Sequence, residues 1–132
     1  MNFNPLSRAC LVTDAYVGAN IRSAATVDGT AYWLGGSAGV DGGVHYATHA
    51  STGATSSIFT NVQNIRVTHI FEGQLFASTA AGAQPDGVVY RFDDVSGSGA
   101  SNAVPIATAP AGTAYRGIAY FGPSVIAELH LE

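Results

Sequence analysis

Three arginines raise the first question about chemistry. Arg22, Arg66 and Arg116 stand in Asn20-Ile21-Arg22, Asn64-Ile65-Arg66 and Tyr115-Arg116, each at the start of an apolar, β-forming segment. They are three of only five basic residues, all arginine, because lysine is absent. A guanidinium presents a planar fork of donors that fits carboxylate, phosphate or sulfate, so copies of this position repeated around a symmetry axis, six of them in a dimer, would make an anion site. The competing use is structural, each Arg fastening itself to a backbone carbonyl or to an acid such as Asp14, Asp93 or Asp94. Trp33 is the second candidate. With Tyr32, Tyr46, Phe76, Tyr90 and Tyr120 it could stack on a sugar ring beside neutral Gly/Ser/Asn-rich loops, or fill a core.

The remaining reactive types form no catalytic or metal pattern. His45 and His49 lie four apart, which on a strand sets them about 13 Å from each other, too far to chelate one ion. His69 and Glu72 span a strand end and its turn, and the single Cys10 can build neither an intrachain disulfide nor a cysteine-based zinc site. The stretch from Gly35 to Gly43 lacks the lysine of a phosphate-binding loop and reads as a mobile connection. No acid, base and nucleophile form a set, so neither an enzyme nor a cofactor is expected. Charged residues are 11% of the 132 and the net charge is −4, without a basic stripe, which argues against a nucleic-acid partner. A run of about 18 apolar residues is also missing, so no membrane partner is expected.

The elements that must position these side chains come from an internal repeat. From residue 20 to residue 46 the chain matches itself without a gap at an offset of 44: Gly29 falls on Gly73, Tyr32 on Phe76, Gly43 on Gly87, Val44 on Val88 and Tyr46 on Tyr90. A third, half-length copy starts at Tyr115-Arg116. Each copy opens with a short strand (21–27, 65–71, 116–121), turns at Asp28-Gly29, Glu72-Gly73 or Gly122-Pro123, and returns along a second (30–34, 74–78, 124–129). Third strands are expected over 44–49 and 88–92, and fourth strands over 56–60 and 104–108. No segment holds a helical apolar period.

Four short antiparallel strands per repeat of about 40–50 residues is the pattern of a β-propeller blade. The expected fold is therefore all-β, a single propeller segment over 1–132, with one blade at 20–63, a second at 64–113, and a third split between 114–132 and the N-terminal 1–19. Stacked blades bury both faces of each sheet, which accounts for 47% hydrophobic residues with so little charge.

The motif Asn20-Ile-Arg-Ser-Ala-Ala-Thr-Val-Asp-Gly-Thr-Ala-Tyr-Trp33, with Gly43-Val44 and the second Asn64-Ile-Arg, resembles uncharacterised, secreted bacterial propeller-repeat proteins over most of the chain. The resemblance implies blades and a secreted parent, but no activity. Such propellers are longer, so the chain resembles a fragment or engineered cut of one. No secretory apolar core follows Met1, and Leu131-Glu132 resembles a cloning remnant.

Closure takes about 4–8 blades, so three leave two apolar faces open. The partner expected is therefore the chain itself, as a homodimer of six blades or a homotrimer of nine. A glycan at Trp33 or a small anion at Arg22, Arg66 and Arg116 is the alternative.

Overall fold

The computed structural model describes residues 11–37, 41–80, 87–92, 103–121 and 124–130, with side chains as far as residue 119. The strands are β1 (Leu11–Val12), β2 (Asn20–Ala25), β3 (Ala31–Ser37), β4 (Gly43–Thr48), β5 (Thr52–Gly53), β6 (Ser56–Phe59), β7 (Ile65–Phe71), β8 (Gln74–Thr79), β9 (Val88–Phe92), β10 (Ala103–Thr108), β11 (Ala114–Phe121) and β12 (Ser124–His130). The chain is all-β, with no helix among the described residues. Sheet 1 is antiparallel in the order β2-β3-β4-β6, sheet 2 repeats it as β7-β8-β9-β10, and β11-β12 form a hairpin.

Turn chemistry sets the hairpins. Glu72 and Gly73 have φ of 48° and 74°, the doubly left-handed geometry of a two-residue turn, and Phe71 pairs directly with Gln74 across it. Sheet 1 turns more widely over 26–30. There the Asp28 carboxylate accepts from the Thr30 amide at 2.9 Å and its hydroxyl at 2.6 Å, while Gly29 N donates to Thr26 Oγ1 at 2.8 Å.

The sheets stack as layers. Between sheets 1 and 2 lies the largest apolar cluster, in which Trp33, Val44, Ile58 and Phe59 meet Ile65, Leu75, Ala77, Tyr90 and Phe92. Phe92 is fully buried and meets Phe59 edge-on, with ring centroids 5.4 Å apart. On the far side of sheet 2, Phe76 and Val89 pack against Ile118 of the hairpin. The other face of sheet 1 is covered by the N-terminal segment: Val12, Ala15 and Tyr16 pack on Tyr32, Leu34 and Ala47. Tyr16 anchors that cover. It is buried, its hydroxyl donates to Leu34 O (2.8 Å) and Gly43 O (3.0 Å), and its ring lies edge-on to His45.

The pairing corrects the gapless repeat. Ala25 faces Trp33 across sheet 1, and its repeat counterpart His69 faces Phe76, so Trp33 and Phe76 are the matching positions, rather than Tyr32 and Phe76. The tighter Glu72-Gly73 turn removes one residue, and a one-residue shift reverses which face each side chain joins. Tyr46 and Tyr90, identical in the alignment, consequently enter the same intersheet seam from opposite sides.

Two further expectations change. Gly35 and Gly36 are buried inside β3 instead of belonging to a mobile connection. A Cβ on Gly35 would stand 2.7 Å from Ser23 Oγ and 2.8 Å from Ile65 Cγ2, so glycine lets sheets 1 and 2 close on each other. Residues 38–40 lie outside the described residues. At the N-terminus, Leu11 and Val12 pair in parallel with Thr52 and Gly53 of β5, while the hairpin gains no third strand among the described residues.

Candidate functional site

The three arginines share one structural peculiarity. In β2 the register with β3 shifts between Ile21 and Ser23, in β7 the register with β8 shifts between Ile65 and Val67, and in β11 the register with β12 shifts between Tyr115 and Gly117. The residue inside each shift is Arg22, Arg66 or Arg116. A bulge of this kind takes one residue out of the ladder and re-aims its side chain. Beyond the bulges β7 and β11 are placed alike: Thr68 of β7 turns back onto sheet 1, and Ile118 of β11 turns back onto sheet 2.

Since β2 packs beside β7 and β7 beside β11, the three bulges lie on neighbouring strands. Arg22, Arg66 and Arg116 accordingly line a single open pocket of about 570 Å³, completed by Asn20 and Val67. Among the described residues no acidic side chain lines it. Arg22 Nη1 donates to Asn64 Oδ1, which ties sheet 1 to the start of β7. Burial, and secondly the charge of Arg66, hold the Arg22 guanidinium below its ordinary value. Behind the pocket, Ser23 Oγ accepts from Thr68 N at 2.9 Å, and Thr68 Oγ1 donates to Trp33 O at 3.2 Å, so a polar clamp sets the spacing of β2 and β7.

The fastener roles imagined for the acids are partly accounted for. Asp14 accepts from Thr55, through N at 2.7 Å and Oγ1 at 3.2 Å. Asp93 and Asp94 lie outside the described residues.

Trp33 is not in the site. It is 5% exposed, within the seam between the sheets and edge-on to Tyr46 at 5.3 Å, so no sugar ring can reach its face. The strand alternation that makes an aromatic look like a surface platform cannot say whether another sheet will cover it. The histidines stay apart. His45 is buried, with Nδ1 2.8 Å from Thr55 Oγ1 and Nε2 3.1 Å from Gly42 O; His49, just past the end of β4, meets the Tyr32 hydroxyl at 3.3 Å. No group of three metal-ligating side chains comes together among the described residues.

Asn20 and Val67 were not singled out from the sequence, nor was Asn64 as the acceptor for Arg22. The repeated Asn-Ile-Arg triplet was the available signal for both asparagines. The bulges had no signal, because each is a mismatch between two paired strands. No known protein family, curated protein or solved structure matches the chain.

Proposed function

We propose that the chain is a self-assembling, non-enzymatic propeller segment, in which sheet 1, sheet 2 and the hairpin act as successive blades and two copies close a six-blade ring. One observation carries this reading: the two ends of the layered stack are complementary. The hairpin offers two strands where each sheet has four, and the N-terminal segment lies on the far face of sheet 1, in the layer a preceding blade would fill. Head-to-tail stacking puts the N-terminal segment of one copy beside the hairpin of the next, where together they make the split blade. Leu11 and Val17 on that segment are 60% and 63% exposed, an apolar surface suited to such a contact. A heterologous contact of this type forms rings when its rotation closes and fibres when it does not. Within a longer polypeptide the same two ends would take further blades of that chain.

Light scattering coupled to size exclusion, over a dilution series, tests the reading. A steady mass near twice 13.5 kDa is expected, whereas three times 13.5 kDa would point to nine blades. Val17→Asp at one end and Ala119→Glu at the other, where Ala119 is exposed beside the inward Ile118, should each dissociate the assembly while leaving the β-sheet circular dichroism intact. A folded monomer in the unmodified chain would overturn the proposal.

A further inference from the structure

We infer that the pocket lined by Arg22, Arg66 and Arg116 is a binding site for a small organic polyanion, one carrying two or more carboxylate, phosphate or sulfate groups. Three separate strands each place an arginine at a bulge, and all three side chains reach the same space. Repetition alone would reproduce a structural role along with everything around it. Here the surroundings change. The Asn-Ile that precedes the first two arginines becomes Ala114-Tyr115 before the third, yet the bulge and the arginine in it remain.

Electrostatics points the same way. Three guanidiniums gather in one pocket whose lining holds no carboxylate among the described residues, in a chain whose net charge is −4. An anion seated among three guanidiniums can accept several charge-assisted hydrogen bonds at once. Desolvation, and then the nearby charge of Arg66, lower the Arg22 guanidinium. The open space of about 570 Å³ leaves room for a ligand that carries more than one anionic group. Asn20 adds an amide able to meet a hydroxyl or carboxylate, and Val67 adds a short apolar wall. Because all three arginines belong to one chain, the site does not require ring closure.

Isothermal titration calorimetry with citrate as the organic polyanion and inorganic phosphate as the single-group probe, at matched ionic strength in chloride, tests the inference. Saturable binding of citrate at one per chain is expected, at least tenfold tighter than phosphate. Arg22→Gln, Arg66→Gln and Arg116→Gln should each weaken citrate at least tenfold, and Gln at position 22 keeps a donor for Asn64. Arg66→Lys, which retains charge without the planar fork, should fall between the native protein and Arg66→Gln. Arg91→Gln, outside the pocket, should bind as the native protein does, and so should the dissociated Val17→Asp monomer, which separates this inference from the assembly reading. Absence of saturable citrate binding overturns the inference. So does phosphate binding as tightly as citrate, or citrate binding that survives the three glutamine substitutions in variants shown to be folded by thermal melting.

Discussion

Replacing Tyr16 with Phe probes the anchor that holds the N-terminal segment on sheet 1. The hydroxyl of this buried residue donates to two strand carbonyls, Leu34 O and Gly43 O, so at neutral pH its loss should cost about 1 kcal/mol. Alkaline pH distinguishes this bond from simple packing. Burial pushes the Tyr16 phenol well above its ordinary value of 10.0, so the folded protein keeps a proton that the unfolded chain releases. The stabilisation from the neutral phenol is therefore complete below pH 10 and declines as pH rises above it, at up to about 1.4 kcal/mol per pH unit for one proton. Between pH 9 and pH 11 Tyr16 alone should remove about 1.4 kcal/mol from the native protein and nothing from Tyr16→Phe. The native advantage of about 1 kcal/mol at pH 7 should then disappear near pH 11. Urea denaturation followed by fluorescence of Trp33, at pH 7, 9, 10 and 11, measures this directly. Burial also raises Tyr90, but that residue is present in both proteins and cancels in the difference. Stability curves that run parallel from pH 7 to pH 11 would refute the assignment of Tyr16 as a buried, hydrogen-bonded phenol.

Two further outcomes follow from the packing and from the first turn. Phe92→Ala removes a fully buried ring from the seam between the sheets and should lower unfolding stability by about 3–5 kcal/mol, read from the urea midpoint. Asp28 is held below its ordinary carboxylate value of 3.8 by the Thr30 hydroxyl and then the Thr30 amide. Its contribution is thus present above that pH and lost on acidification, so Asp28→Asn should be less stable than the native protein at pH 6, with the gap between the two thermal melting temperatures narrowing as pH falls below 3.8.

Much of the secondary structure was legible in the residue pattern, because strand alternation and turn chemistry are local. Glu72-Gly73 announces a two-residue turn, and the strand expected at 88–92 is β9 as observed. The β1 and β5 pair was not legible: it is a parallel contact of two residues in each strand, held by the tertiary position of the N-terminal segment. The Gly-rich stretch misled for a related reason. Glycine in sequence signals flexibility, whereas Gly35 is required by the approach of Ser23, Ile65 and Thr68, which lie on other strands.

The candidate site divides along the same line. Sequence by itself determined that three arginines recur at one place in a repeated strand and that the chain builds antiparallel sheets. Only the tertiary structure decided that each arginine sits in a bulge, that the three bulges meet at one pocket, that Trp33 is sealed between sheets, and that Tyr46 and Tyr90 point in opposite directions. Residue type and spacing act within a strand, so they can be read along the chain. Register, bulging and burial are properties of pairs of strands and of stacked sheets, and a single turn shortened by one residue is enough to change which face a side chain joins.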